Sequence, residues 1–130
     1  MPLEHHVEFR VSYYETDGQG RVHHAQYLNY FERGRVELMR SLGHSYRNFE
    51  ATGLMLVVAE MNVRYLDGAQ FDDILRLTTR VIEARGATIR HRYDLVRSDD
   101  DSPIVQAESR IACVDRSGRV RRLPDYLRVV

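Results

Sequence analysis

An α+β fold, with about five strands wrapped around a single long helix, follows from three features of the sequence. Only one segment, beginning near Ala25, carries apolar residues at sustained helical spacing. A short alternating segment precedes it. Further alternating segments follow it in succession, joined by hairpin-like stretches of turn-forming residues. An antiparallel sheet with one apolar face needs a cover, and one helix with one apolar stripe supplies it.

The first strand is expected from Val7 to Tyr13, where Val7, Phe9, Val11 and Tyr13 fall on one side, and a turn follows from Glu15 to Arg21. From Ala25 onward Tyr27, Phe31, Leu38 and Leu42 share a helical stripe, thickened by Leu28 and Met39. Gly34 lies in line with them, where it would let the sheet come close. Arg40 and then Gly43 are the charge and cap expected at a helix C-terminus. Ser45 to Thr52 carries only a weak pattern. Val57, Ala59, Met61, Val63 and Tyr65 then alternate with Glu60, Asn62 and Arg64, so that one side reads as buried and the other as wet.

Asp67-Gly68 supplies the next turn, and three more strands are expected around Leu75–Val81, Ile89–Leu95 and Val105–Cys113. Turn chemistry separates them at Arg85-Gly86 and at Asp99 to Pro103, and recurs at Ser117-Gly118. Such a sheet has unprotected edges, and pairing with a second copy is a remedy.

Composition narrows the function. The 130 residues fit one domain, 1–130, and 43% hydrophobic with 29% charged residues is the make-up of a folded, soluble chain. Nineteen basic residues balance 19 acidic ones, which argues against duplex nucleic acid or an anionic membrane as partner. No apolar run approaches the roughly 18 residues of a membrane span. The opening Met-Pro-Leu-Glu-His-His lacks the apolar core of a signal peptide, so a cytoplasmic location is expected. The single cysteine, Cys113, cannot form an internal disulfide, and its apolar alternation reads as packing rather than nucleophile.

The stretch SYYETDGQGRVHHAQYLNYFERGR, from Ser12 to Arg35, places Asp17 in a glycine-flanked turn shortly before the helix. On pattern alone such an aspartate is a turn former or cap, or a carboxylate aimed at whatever binds the helix start. Tyr14-Glu15-Thr16-Asp17, Gly20, Val22, His24-Ala25, Tyr27 and Phe31-Glu32-Arg33-Gly34-Arg35 together resemble the hotdog-fold acyl-CoA thioesterases. The group in question includes 4-hydroxybenzoyl-CoA thioesterase and the Tol-Pal-associated acyl-CoA thioesterases. Ala59-Glu60-Met61-Asn62-Val63-Arg64-Tyr65 and Phe71-Asp72-Asp73 extend the similarity, which runs from Glu8 to about Arg116.

The resemblance implies a five- or six-stranded antiparallel sheet around a central helix. It also implies a homodimer formed through the sheet, often doubled to a homotetramer, with sites between subunits and an acyl-CoA substrate. Asp17 would be the nucleophile or the general base on water, and the amide at His24 would polarise the thioester carbonyl. Thioester hydrolysis develops negative charge on that oxygen, and the free N–H groups at a helix start are fixed donors for it. His24 and Ala25 occupy this start. The same partial positive charge favours an ionised Asp17, and Gly18 and Gly20 let the turn close tightly.

The substrate-binding set expected by this likeness is Gly20, Tyr27, Glu32, Glu60, Arg85 and Arg90. All of them but Gly20 have a plainer alternative. Tyr27 and Tyr30 suit core and interface, and Glu32 suits a solvent-facing helix carboxylate paired with Arg35. Glu60 either pairs with an arginine across the sheet or lines the substrate tunnel, and Arg85, Arg90 and Arg92 either meet CoA phosphates or are solvated strand residues. His23 stands where the family has an aromatic residue, and Gly86-Ala87 where the hydroxybenzoyl-CoA enzyme has basic ones.

No metal or other cofactor is expected. His23 and His24, with His5, His6, His44 and Asp17, lack a ligand spacing, and adjacent histidines on an element point in different directions. His91, on an apolar strand face, reads as a satisfied core histidine. The same fold acting on acyl groups of acyl carrier protein, and a non-catalytic acyl-CoA-binding protein, are the alternatives. An unpaired carboxylate beside a thioester favours an enzyme over a binder.

Overall fold

A computed structural model describes residues 3–128. Its strands are β1 (Leu3–Arg10), β2 (Leu54–Tyr65), β3 (Ile74–Arg85), β4 (Thr88–Arg97) and β5 (Pro103–Asp115), and its helices are α1 (Gln26–Ser41) and α2 (Tyr46–Ala51). Single 3-10 turns stand at Tyr13–Glu15 and Asp125–Leu127. The strands form one antiparallel sheet in the order β1-β3-β4-β5-β2, with α1 packed against it. This is the expected α+β hotdog architecture with five strands. Among the described residues no helix is long and apolar enough to cross a membrane.

The helix seats itself where its side chains are smallest. A Cβ at Gly34 would lie 2.8 Å from Leu77 Cδ2 and still nearer Thr79 Oγ1, so α1 meets β3 most closely there, as its place on the stripe suggested. Tyr27, Tyr30 and Phe31 pack with Leu77, Tyr93 and their neighbours at one end of the helix. Leu38 and Met39 pack with Phe49, Ile89 and Cys113 at the other. The stripe differs from the expected one at its margins, since Leu28 and Leu42 are exposed while Arg35 is buried. Gly43, at φ +86°, donates its N–H to the Arg40 carbonyl (2.9 Å) and ends the helix as its position predicted.

Three expectations are corrected. The first strand runs Leu3–Arg10 rather than Val7–Tyr13, because Tyr13–Glu15 is drawn into a 3-10 turn whose Ser12 N–H donates to Glu15 Oε1 (2.8 Å). The weak stretch after α1 contains a short helix, α2, capped by the Ser45 hydroxyl accepting from Asn48 N–H (3.1 Å) and anchored by buried Phe49. In β2 the register against β5 shifts between Val58 and Glu60, so Ala59 is a bulge and the inward face changes phase. Leu54 and Leu56 pack inward before it, Met61 and Val63 after it, and Val57 and Ala59 are exposed rather than buried.

Candidate active site

Asp17 builds its own loop. Its N–H donates to the Arg21 carbonyl (2.7 Å), and Gly20 N–H donates back to the Asp17 carbonyl (3.1 Å), with Gly20 in the left-handed conformation at φ +79°. Asp17 Oδ1 accepts from the N–H of Gln19 (2.8 Å) and of Arg21 (3.3 Å), while Oδ2 has no hydrogen-bond partner among the described residues. The turn-forming role and an outward-facing acceptor therefore coexist on one side chain.

Glu15 ties this loop to the helix. It is buried, and its carboxylate accepts from Ser12 N–H (2.8 Å), Tyr30 Oη (3.0 Å) and Gln26 Nε2 (3.1 Å). Its carbonyl accepts from His23 N–H (2.9 Å). Burial, and then the adjacent Glu15, push the Tyr30 phenol far above its ordinary pKa, so Tyr30 stays a donor. Sequence reasoning did not single out Glu15, although the Ser12-x-x-Glu15 spacing of a capping box was a usable signal.

The opposite wall comes from the loop before β3. Val22 N–H donates to the Ala69 carbonyl (2.8 Å), and Ala69 N–H donates to Tyr27 Oη (3.2 Å). Arg97 clamps this loop, donating to the Gly68 carbonyl (2.7 Å), Asp67 Oδ2 (2.8 Å) and Asp73 Oδ2 (3.3 Å). That guanidinium holds the Asp67 carboxyl below the usual carboxylate range. Gly68 leaves room for the Arg21 side chain, whose Cδ would be 2.9 Å from an added Cβ.

Between these walls lies an open cleft lined by Asp17, Arg21, His24, Tyr27, Tyr65 and Asp67 among others. At the helix start Ala25 N–H donates to His23 Nδ1 (3.1 Å), whereas His24 N–H has no partner among the described residues. Tyr65 Oη donates to the His24 carbonyl (3.1 Å) and fixes that peptide. The His23 and His24 rings stack at 4.3 Å and 26°, contrary to the expectation that they diverge, because both precede α1 in irregular backbone rather than on a regular element. The structure thus brings Asp17, His24 and Tyr27 together and adds Arg21, Tyr65 and Asp67, which sequence reasoning missed.

Of the other expected binding residues only Gly20 stays beside the cleft, and the rest stand elsewhere. Gly20 shapes the Asp17 turn. Glu32 is exposed on α1, and the Glu32–Arg35 pairing does not form, since buried Arg35 instead donates to Tyr93 Oη (2.9 Å). Glu60 takes the cross-sheet alternative, 3.6 Å from Arg110. Arg85 pairs with Glu83 (2.9 Å), and Arg90 lies directly across from Arg110. Glu60 is roughly 17 Å along β2 from Tyr65 at strand rise, which separates the Arg90 end of the sheet from the cleft. His44 packs at a tilt against Tyr126 (ring centroids 4.5 Å apart), and His6 bonds Thr78 (2.9 Å) and Glu4 (3.1 Å), each in a different region. His91 is buried as expected, but its Nδ1 is not satisfied by any protein group.

The sequence pattern of the Thioesterase-like superfamily matches residues 11–129. The acyl-CoA thioesterase YbgC of Haemophilus influenzae is 38% identical over 107 residues, which are 82% of this chain and 77% of that one. The acyl-CoA thioester hydrolase YbgC of Escherichia coli is 33% identical over 106 residues, 82% of this chain and 78% of that one. A crystal structure of a probable thioesterase from Bartonella henselae superposes with a TM-score of 0.86 at 34% identity, covering 93% of this chain and 99% of that one. With the match extending from the Asp17 loop through every strand that frames the cleft, the chain belongs to the Thioesterase-like superfamily, the hotdog thioesterases.

Proposed function

We propose that this protein hydrolyses acyl-CoA thioesters to the free acid and CoA, with Asp17 and the His24 amide as its reacting groups. One observation carries the reading: a carboxylate with an unengaged oxygen and an unengaged helix-start N–H line the same cleft. The relatives named as acyl-CoA thioesterases support the choice of thioester.

Asp17 Oδ2 takes a proton from water as the water oxygen adds to the thioester carbon. The carbonyl oxygen gains the negative charge and accepts from His24 N–H. Collapse of the adduct breaks the C–S bond and expels CoA as thiolate. A thiol of pKa about 8.5 needs little protonation to leave. Direct attack by Asp17 would instead form a mixed anhydride that water then opens, and single turnover in 18O-water separates the two by whether label enters Asp17. Ala25 flanks the donor, its own N–H being held by His23.

A homodimer joined through β2 completes the site in this reading, and two such dimers make a tetramer. Antiparallel pairing of two β2 edges sets the Tyr65 end of one copy beside the Leu54 end of the other. The Leu54 end of one copy then lies beside the Asp17 cleft of the other, and Glu32, Glu60, Arg85 and Arg90 are the candidates for acyl and CoA contacts across the interface.

The test is a panel of short, long and aromatic acyl-CoAs, with an acyl carrier protein thioester, given to wild type and Asp17→Asn. Wild type should turn over at least one substrate, and the variant should lose about 100-fold or more in kcat. A variant as active as wild type overturns the role of Asp17. Wild-type inactivity on every thioester, with acyl-CoA still bound, overturns hydrolysis in favour of a binding protein.

A further inference from the structure

A second cavity, of about 40 Å³, lies beneath the C-terminal half of α1, between that helix, α2 and the sheet. Leu38, Leu56 and Ile89 make its walls apolar, and Arg35, Tyr46 and His91 are its polar lining. A water-sized occupant needs about 10–15 Å³ by this measure, so the space takes a group of only a few heavy atoms. It is separate from the Asp17 cleft. Arg35 is about 16 Å along the helix from His24, and Phe31 and Tyr93, stacked at 4.5 Å and fully buried, stand between the two ends of the core.

The polar lining is one-sided. Arg35 is 7% exposed, donates to Tyr93 Oη (2.9 Å), and forms no carboxylate pair among the described residues, whereas Arg97 has both Asp67 and Asp73. A buried guanidinium with no counter-charge is unfavourable unless something supplies one. His91, 5% exposed, has an Nδ1 with no protein partner. Its burial, and then the nearby Arg35, depress its pKa to about 3, so the ring is neutral and its Nδ1 can carry a hydrogen. Burial raises the Tyr46 phenol against the opposing pull of Arg35, which keeps it a donor as well.

Arg35, Tyr46 and His91, one of them a cation, thus line an apolar space that has no acidic group among its lining residues. We propose that this cavity binds a short-chain monocarboxylate, its carboxylate on Arg35 and His91 and its hydrocarbon against Leu38, Leu56 and Ile89. A carboxylate matches the planar fork of a guanidinium, and its short alkyl body matches the walls. A phosphate dianion has no apolar part to place there and is costlier to desolvate, and a cation is repelled by Arg35. A short acid is also what short-chain acyl-CoA hydrolysis releases. That link rests on the function proposed above, whereas the binding itself does not.

Titration of the 15N-labelled protein with sodium butyrate, with 1-butanol and inorganic phosphate as controls, tests the assignment. Saturable amide shifts should appear in residues 35–46, 54–58 and 89–93 for butyrate alone. Asp17→Asn should reproduce them, so loss of hydrolysis and loss of this site are told apart. Arg35→Met removes the buried charge at similar volume, and should keep or raise the melting temperature while weakening butyrate at least about 10-fold. Leu56→Trp, which fills the space and leaves Arg35 in place, should abolish the shifts by an independent route. Absence of saturable shifts, undiminished butyrate binding in either variant, equal binding of butanol or phosphate, or shifts confined to the Asp17 cleft would each overturn the proposal.

Discussion

Glu15 shows how one buried carboxylate can position the loop that carries another, Asp17. Three donors from three parts of the chain converge on it, and a carboxylate is the only side-chain group that accepts from all of them without offering a hydrogen back. Glu15→Gln turns one acceptor into an N–H2 that faces these donors. The expected loss is about 1–3 kcal/mol in urea unfolding, with a fall in thioesterase rate as the Asp17 loop loosens from α1. A variant as stable and as active as wild type would show the strap to be dispensable.

His91 gives a pH signature of definite sign. Its pKa is about 3 folded against 6.5 for the free side chain, so the unfolded chain binds the extra proton between those values. Its contribution to stability is whole above pH 6.5 and declines as pH falls, by up to about 1.4 kcal/mol per pH unit. The carboxylates of Glu4, Asp67 and Asp100 are depressed by their partners, so their losses begin only near their unfolded values, below pH of about 4.5. Urea unfolding at pH 7, 6 and 5 should therefore show wild type losing stability on acidification and His91→Phe holding nearly level. Parallel curves would mean that His91 is protonated in the fold.

What was legible among these residues follows from distance along the chain. Asp17, His24 and Tyr27 share one short stretch, and the resemblance to the hotdog thioesterases picked them out together. Tyr65 and Asp67 reach the cleft from distant β2 and the loop before β3, where Arg97 of β4 clamps Asp67, and only the closed sheet brings them in.

The elements were readable where a period persists and misread where it is interrupted. Helix α1 keeps one stripe, and β3, β4 and β5 keep one phase over Leu75–Val81, Ile89–Leu95 and Val105–Cys113, long enough to announce their buried faces, although β3 shifts register between Val81 and Glu83. In β2, the run Val57, Ala59, Met61, Val63 and Tyr65 alternates without a break, and nothing in it marks Ala59 as the extra residue. The bulge becomes visible only in the pairing with β5, where Val58 meets Ile111 and Glu60 meets Arg110. Burial of Arg35 was hidden for a related reason, since a helical arginine ordinarily points to water and its polar partner Tyr93 lies far along the chain on β4.

Gly34 was legible for the right cause and can be tested as such. A methyl group there would collide with the Leu77 and Thr79 side chains, and both are fully or almost fully buried. Gly34→Ala gains up to about 1 kcal/mol of helix propensity, but overpacking costs typically about 1–3 kcal/mol. The net expectation is a lower melting temperature by circular dichroism with the helix content unchanged. A higher melting temperature would mean that the helix can lift from β3 without penalty.

Across the whole molecule the two edges of the sheet differ in their readiness to pair. The sheet ends in β1 on one side and β2 on the other. Strand β1 reads LEHHVEFR, with two glutamates, two histidines and an arginine along its length, the charged edge that discourages further pairing. Strand β2 opens LMLVVA, without a charge before Glu60, and its Val57 and Val58 are exposed although hydrophobic. An uncharged, apolar edge of that length is a liability for an isolated protomer and an asset for a two-fold pair, because antiparallel pairing of β2 with itself buries it in both copies at once.

In the proposed pairing the Leu54 end of one copy lies beside the cleft of the second, so association and hydrolysis should fail together. Val58→Lys places a cation on that edge without touching Asp17, His24 or the Arg97 clamp. Light scattering after size exclusion should show wild type as a dimer or tetramer and the variant as a monomer with an unchanged far-UV spectrum. Its thioesterase rate should fall in step with the dimer fraction and recover at protein concentrations that restore association. A monomeric variant with full activity would confine the reacting groups and the acyl contacts to one protomer, and an undiminished dimer would move the interface to another face.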